Sequence, residues 1–171
     1  MTNSEPVLVV LDTNIVLDVW IFDDPRTQGL RLALSSTRLR WIATAAMREE
    51  LRRVLGYPHL LKRMLLSGRT QEDVLQAFDA QAHFVEPAPK APCTCKDGDD
   101  QKFIDLAVAH RAWLLSKDAQ VLCMRRRLER LGVALNPHLK PPPGFAVEPQ
   151  WQALYEQMFN VADQAPNALA A

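Results

Sequence analysis

Apolar residues in the first 140 positions alternate between short β-branched runs and longer stretches with helical spacing. The runs at Val7–Leu11 and Leu39–Ala43 are typical of strands buried on both faces of a parallel sheet. Further short strands are expected over residues 113–116 and 133–135. Strands and helices that alternate in this way predict an α/β domain with a mostly parallel central sheet.

Helices are expected between these strands. Thr44 is placed to cap one helix, and Thr70 is placed to cap a second helix that starts at the next residue. A third helix is expected over residues 100–112, after a proline-rich loop. A fourth is expected over residues 119–131, where Gly132 supplies a natural C-terminal cap.

A stiff linker is expected to end the domain. Residues 5–140 are predicted to form the domain, and residues 141–171 a linker, an amphipathic helix and a tail. The linker begins with Pro-Pro-Pro-Gly at residues 141–144. The apolar face of the following helix is expected to pack on its own domain, and docking on a second subunit is the alternative.

Charge and cysteine content narrow the class of protein. The 20 basic and 20 acidic residues balance, which argues against a protein that coats nucleic acid by bulk charge but allows a local basic face. Cys93, Cys95 and Cys123 are too few for a disulfide framework or a complete zinc site, so reduced thiols are expected. No apolar stretch has the length of a signal core or membrane span, and a cytoplasmic protein without membrane contact is expected.

Acidic residues follow two of the predicted strands. Asp12 comes directly after the first strand, and Asp118 lies two residues after Ser116. In an open parallel sheet ligands bind beyond the carboxyl ends of the strands, so both aspartates are expected at one edge of the sheet. Each of them taken singly could also be an ordinary turn or capping aspartate.

A third acidic residue is expected to face this edge from the helix after Thr44. Glu50 lies at the margin of that helix's apolar face, where a carboxylate is partly desolvated and needs a compensating partner. Glu49 lies opposite the apolar face and is expected to pair with Arg53. Glu50 is therefore the candidate for chemistry.

A fourth acidic residue is expected in the helix over residues 100–112. Asp100 is expected in its first turn, on the inward side, where the helix dipole favours negative charge. Asp105 is expected to project outward into solvent. Asp97 and Asp99 precede the helix, and capping is expected for Asp99 rather than direct metal contact.

Four carboxylates that meet in one pocket repel one another and raise each other's pKa values. A bound hard cation resolves this repulsion, and donors that are all oxygen suit Mg²⁺ or Mn²⁺ rather than zinc. Such an ion can activate a water molecule and neutralise a phosphate. With arginines nearby, the acidic cluster therefore indicates phosphodiester hydrolysis.

The segments that carry these acids resemble the PIN-domain family, in its branch of toxins from toxin–antitoxin systems. The matching segments are LDTNIVLD at 11–18, AAMREELRRVLGYP at 45–58, KDGDDQKFIDLA at 96–107 and LLSKDAQVL at 114–122. They follow the family's order over about residues 7–136. The resemblance implies a three-layer α/β/α sandwich with about five strands, cleavage of RNA with Mg²⁺ or Mn²⁺, a homodimer and a small inhibitory antitoxin.

The resemblance also implies roles for individual residues. The catalytic acids would be Asp12, Glu50, Asp100 and Asp118; the metal ligands Asp12, Asp100 and Asp118; and the residues that support them Asn14, Ser116 and Asp99. Leu-Ser-Lys-Asp at 115–118 replaces the family's usual Val-Thr-Gly-Asp, and Gln120 stands where members often carry another acid. A weaker second metal position is therefore expected.

Basic side chains near these acids are candidates for RNA contact. They are Lys117, Arg48, Arg52, Arg125 and Arg126. A solvated helix surface is the alternative for each. If they hold phosphates, RNA binding should weaken steeply with salt.

Two other functions compete with the nuclease. A PIN-like fold that has lost catalysis could bind a protein partner or RNA, which Gln120 and the neutral net charge favour. A phosphatase with an aspartyl nucleophile normally needs a second acid at position 14, where this chain has Asn14. Binding of divalent ions distinguishes an intact nuclease site from a degraded one.

Overall fold

The computed structural model describes residues 5–35 and 39–137, so the linker, helix and tail predicted for residues 141–171 lie outside the described part. The bounds of the elements, in chain order, are β1 Val7–Leu11, α1 Thr13–Trp20, α2 Gln28–Ser35, β2 Leu39–Ala43, α3 Ala45–Leu55, α4 Pro58–Leu66, α5 Gln71–Gln81, β3 His83–Phe84, α6 Gln101–His110, β4 Trp113–Leu115, α7 Ala119–Leu122 and α8 Arg125–Arg130. A short 3₁₀ turn at Pro25–Thr27 precedes α2.

A parallel sheet with the strand order β3-β2-β1-β4 forms the middle layer. Helices cover both faces of the sheet, as the predicted α/β/α architecture requires. The fifth strand expected over residues 133–135 is reduced to one parallel bridge between Leu114 and Leu135. Gly132 and Asn136 on either side take positive φ angles of 84° and 47°, which leaves too few extended residues for a full strand.

The core explains why β1 is the central strand. Val9 and Val10 have no exposed surface, as expected for a strand with helices on both faces. On one side of the sheet Trp41 stacks on Trp20 at 5.3 Å between ring centroids and meets the edge of Phe78 at 4.6 Å. This packing joins α1 and α5 to β2, the strand beside β1.

The predicted strands at Val7–Leu11 and Leu39–Ala43 are confirmed, and so are both caps. The Thr44 hydroxyl accepts from the Met47 amide at 3.4 Å. Thr70 forms a reciprocal capping box with Asp73 at the start of α5.

The helix predicted over residues 119–131 is two helices, and that prediction was wrong in its extent. Met124 has φ −90° and ψ 0°, which interrupts the helix between α7 and α8. The helix predicted over residues 100–112 ends at His110, because Arg111 is left-handed with φ 48°. The sequence patterns also did not predict α1, α2, α4 or β3.

All three cysteines are free thiols, with Cys93 and Cys95 buried and Cys123 exposed. None of the described helices combines the length and the apolar character needed to cross a membrane.

Leu114→Ala tests the packing of β4 against the core. Because Leu114 is fully buried, truncation leaves a cavity, and we expect the free energy of unfolding to fall by about 2–5 kcal/mol. The matched control is Leu65→Ala, since Leu65 is 82% exposed and its loss should change stability by less than about 0.5 kcal/mol. Urea unfolding measures both, and equal losses would contradict the described core.

Candidate active site

Asp12 lies at the carboxyl end of β1 and is 4% exposed. Its amide donates to the Leu115 carbonyl at 3.0 Å, which ties it to the neighbouring strand β4. The Ser116 hydroxyl donates to Asp12 Oδ2 at 2.6 Å. Asn136 holds Ser116 in turn, because its side-chain amide accepts from the Ser116 amide at 2.9 Å and donates to the Ser116 carbonyl at 2.8 Å. Asp12 thus follows β1 in the chain and is held in place by residues at the end of β4.

Asp118 caps α7 beside the same edge. Its Oδ1 accepts from the Gln120 amide at 2.7 Å, and its own amide donates to Ser116 Oγ at 3.1 Å. Ser116 therefore contacts both aspartates that follow parallel strands. The side chain of Asn14 is exposed, and it is the backbone amide of Asn14 that affects Asp12.

Glu50 approaches this edge from α3 and is half-buried, as its place on the helix predicted. Its Oε1 accepts from the Thr13 hydroxyl at 2.7 Å, and its Oε2 forms an ion pair with Lys102 of α6. Glu49 is exposed and pairs with Arg52 at 2.8 Å, so the predicted Glu49–Arg53 pair was wrong. Arg52 lies three residues after Glu49, a spacing that also brings helical side chains together.

Asp100 is the N-cap residue of α6 rather than a first-turn residue, and its side chain makes no capping hydrogen bond. Its Oδ2 is buried and has no hydrogen bond or ion pair within the described residues. The prediction that Asp99 caps this helix was therefore wrong. Asp99 is exposed, and its amide donates to Asp97 Oδ1 at 2.9 Å.

Asp105 is half-buried, and the prediction that it faces solvent was wrong. It accepts from the Ala91 amide at 2.8 Å and from Gln101 Nε2 at 2.7 Å. The loop before α6 folds back over this helix face, which helical periodicity alone does not reveal.

The four carboxylates influence one another electrostatically. Burial raises the pKa of Asp12, against the Ser116 hydrogen bond that lowers it, and the charges of Asp118 and Glu50 raise it further. Burial, and then the charges of Asp12, Asp118, Asp97 and Glu50, raise the pKa of Asp100 to about 7. The fold thus brings Asp12, Glu50, Asp100 and Asp118 from four separate segments within electrostatic reach of one another.

The acidic cluster fits a hard cation in charge and donor type. Asp100 Oδ2 is an unpaired buried oxygen, and all four side chains offer oxygen donors, as Mg²⁺ and Mn²⁺ prefer. In the described residues no three acidic, histidine or cysteine side chains are already gathered closely enough to hold an ion. Lys102 supplies a cation at Glu50 instead.

Most of the basic residues predicted for RNA contact already have a partner within the protein. Lys117 pairs with buried Asp18, Arg48 with Asp79, Arg52 with Glu49, and Arg125 Nη1 donates to the Leu135 carbonyl at 2.7 Å. Arg126 is exposed and lines a surface groove. Most of these side chains would have to give up a protein partner to hold a phosphate.

Sequence reasoning missed four residues that shape the site: Thr13, Asp18, Lys102 and Asn136. Burial raises the pKa of Asp18, and the ion pair with Lys117 lowers it. An acidic residue inside the apolar stretch after Asn14 was a signal for Asp18. Lys102 and Asn136 carried no such signal, since their roles depend on contacts with distant segments.

The family model described as PIN domain matches residues 8–120, about two thirds of the chain, and the chain belongs to the PIN-domain family. Among solved structures, it is similar to VapBC2 from Rickettsia felis bound to a DNA fragment from the promoter. That match has 14% sequence identity and a TM-score of 0.49, and it covers 75% of this chain and 96% of the other. No curated protein matches the sequence.

Asp100→Asn is expected to stabilise the metal-free protein at pH 8 but not at pH 4. The folded-state pKa of about 7 lies above the ordinary value of 3.8, so stability falls as the pH rises between these values. A shift of one pKa unit on folding corresponds to about 1.4 kcal/mol in the free energy of unfolding. With allowance for solvent screening, the gain at pH 8 should be about 1 kcal/mol.

Urea unfolding with a chelator measures this gain. The matched control is Asp79→Asn, because Arg48 holds the pKa of Asp79 below its usual range. That substitution removes an interaction present above about pH 4, so it should give no gain at pH 8. An equal effect of Asp100→Asn at both pH values would count against the described repulsion.

Proposed function

We propose that this protein is a divalent-metal-dependent endoribonuclease that acts in the cytoplasm. The observation that carries the proposal is the buried, unpaired Oδ2 of Asp100, which lies within electrostatic reach of Asp12, Glu50 and Asp118. Buried negative charge without enough positive compensation destabilises a folded protein. A bound cation would offset this cost, so such charge is typical of a functional site. Membership of the PIN-domain family, whose members are generally nucleases, supports the same conclusion.

Asp12, Asp100 and Asp118 are the residues that would hold the ion, and Mg²⁺ or Mn²⁺ suits their oxygen donors. When bound, the ion would neutralise charge on the phosphate and make a water molecule more acidic. Ser116 orients Asp12 through the hydrogen bond to Oδ2, and Thr13 orients Glu50 through Oε1. In this proposal Glu50 accepts a proton from the attacking water.

A single strong metal position is proposed. Gln120 stands where relatives often carry another acid, and its backbone amide rather than a carboxylate contacts Asp118. The ion pair of Lys102 with Glu50 further lowers the negative charge available for a second ion.

The competing proposal is a PIN domain that binds RNA or a protein partner without catalysis. The Lys102–Glu50 ion pair favours it, because a lysine that neutralises one acid reduces the need for metal. Calorimetric titration with MnCl₂ separates the two proposals. A nuclease site binds Mn²⁺ and loses this binding in Asp12→Asn, whereas a non-catalytic module gives no heat of binding in either protein.

Asp12→Asn tests the nuclease directly. Loss of one charged ligand should lower RNA cleavage with Mg²⁺ or Mn²⁺ by about 100-fold or more, and a chelator should abolish cleavage by the wild type. The measurement is the rate of cleavage of end-labelled RNA. Asp73→Asn is the matched control, since Asp73 caps α5 at the surface and should leave the rate unchanged. Equal rates for Asp12→Asn and the wild type, or cleavage that resists chelation, would refute the assignment.

We further propose that the protein is the toxin of a toxin–antitoxin pair, a homodimer inhibited by a small antitoxin. The resemblance of the four acidic segments to that branch of the family supports this role. Expression in bacteria should arrest growth, Asp12→Asn should not, and a short protein encoded beside the gene should relieve the arrest when co-expressed. Growth arrest of the same strength by Asp12→Asn would contradict a toxic nuclease.

A further inference from the structure

Two of the three cysteine thiols meet at one backbone oxygen beside the acidic cluster. The sulfurs of Cys95 and Cys123 lie 3.8 Å and 3.0 Å from the Gln120 carbonyl oxygen, and both thiols donate to it. Because they share this acceptor, the two sulfurs are no more than 6.8 Å apart. Cys123 is exposed, whereas Cys95 is buried. An accessible thiol and a protected thiol therefore lie close together at the end of α7.

The gap between the two sulfurs can be closed largely by rotation of the side chains. Movement of a cysteine side chain between staggered positions shifts its sulfur by about 3 Å. A disulfide requires about 2 Å between the sulfurs. Neither cysteine lies within a helix or strand, since Cys95 belongs to the loop before α6 and Cys123 follows α7 at the break before α8. The backbone at both positions is therefore less constrained than in the core elements.

The two cysteines belong to the segments that carry two acids of the cluster. The Cys95 amide donates to Gln101 Oε1 at 2.7 Å, and Gln101 directly follows Asp100. On the other side, Gln120 accepts from both thiols through its carbonyl, and its amide donates to Asp118 Oδ1 at 2.7 Å. A covalent bond between the two sulfurs would therefore join the segment of Asp100 to the segment of Asp118. It would also remove the two contacts to the Gln120 carbonyl.

The surroundings of Cys123 attract anionic oxidants. This thiol lines a groove of about 400 Å³ whose lining contains four exposed cationic side chains and no acid; the four are Lys96, Arg126, Arg127 and Arg130. Glutathione disulfide carries net negative charge at neutral pH. A groove of one charge sign raises the local concentration of small molecules of the opposite sign, here beside the exposed thiol.

We propose that Cys95 and Cys123 form a reversible disulfide with glutathione disulfide as the oxidant, and that this bond weakens the divalent-metal site. The first part of the inference does not depend on the nuclease. The second part rests on the proposed function, because it concerns the ion that Asp100 and Asp118 would hold.

The reaction is thiol–disulfide exchange in two steps. The Cys123 thiolate attacks one sulfur of glutathione disulfide, the S–S bond of the oxidant breaks, and one glutathione leaves as a thiolate. Cys95 then loses its proton to solvent, attacks the Cys123 sulfur and displaces the second glutathione. In total the protein loses two protons and two electrons, and the oxidant is reduced to two glutathione thiols. Burial raises the pKa of the Cys95 thiol, so the exposed cysteine reacts first.

The modification experiment uses the full reduced chain. It is incubated with glutathione disulfide without air, the remaining thiols are blocked with N-ethylmaleimide, and peptide mass spectrometry identifies the bonded cysteines. The wild type should yield the Cys95–Cys123 disulfide. Cys95→Ser should stop at a glutathione adduct on Cys123, and Cys123→Ser should react at least about tenfold more slowly at Cys95 because that thiol is buried.

Cys93→Ser is the matched control. Cys93 is buried like Cys95 and precedes it by two residues, but its sulfur has no contact with the Gln120 carbonyl among the described hydrogen bonds. This variant should form the disulfide as fast as the wild type. A bond that involves Cys93, a bond between Cys123 of two copies, or a glutathione adduct that persists in the wild type would overturn the proposal.

Calorimetric titration with MnCl₂ measures the consequence for the metal site. The oxidised wild type should bind Mn²⁺ about tenfold more weakly than the reduced protein, as expected when the groups that support a ligand are displaced. Reduction and removal of the reductant should restore the affinity. Cys123→Ser treated with the same oxidant should keep the affinity of its reduced form. Equal affinities of the oxidised and reduced wild type would overturn the coupling.

Two further results separate the causes of a failure. If the reduced wild type binds no Mn²⁺, the proposed function fails, while the mass spectra still show whether the disulfide forms. Urea unfolding of the oxidised protein should remain cooperative, because the proposed change is confined to the ends of two segments. Loss of the cooperative transition on oxidation would mean that the domain unfolds, and it would overturn the proposal of a local change.

Discussion

Repulsion among carboxylates at the carboxyl edge of the sheet is the constraint on which the site depends. The folded chain keeps Asp12 and Asp100 in surroundings that raise their pKa values, and part of its stability is lost in doing so. The surrounding contacts offset that loss: Ser116 and Thr13 donate hydrogen bonds to two of the acids, and Lys102 neutralises Glu50. Asp100 Oδ2 is a buried oxygen of the cluster that has neither a hydrogen bond nor an ion pair among the described residues.

Parallel pairing of β1 with β4 makes this arrangement possible. The register places Leu11 opposite Leu115, so the residues that follow the two strands meet, although more than 100 positions separate them in the chain. The helices then add Glu50 from one neighbouring segment and Asp100 from another. The geometry of the cluster follows from strand order more than from local sequence.

Local patterns predicted the strands β1, β2 and β4, the caps at Thr44 and Thr70, and the segments that carry the four acids. The apolar run of β1, for instance, is typical of a strand buried on both faces, and a residue that follows such a strand is expected at the sheet edge. The patterns failed where a loop decided the outcome, because the chain around Ala91 covers Asp105. They also failed within α3, where Glu49 pairs with Arg52 instead of Arg53. They also failed at the break between α7 and α8, since no glycine or proline marks Met124.

Asn136 is the last link in a chain of contacts that ends at Asp12. Its side-chain oxygen and nitrogen both form hydrogen bonds with the backbone of Ser116. The Ser116 hydroxyl in turn donates to Asp12. The short segment around Leu135 contributes a single bridge to the sheet. Through Asn136 it also helps to hold Asp12 in position. A displacement of that segment would therefore reach the carboxylate through the hydrogen bonds of Asn136 and Ser116.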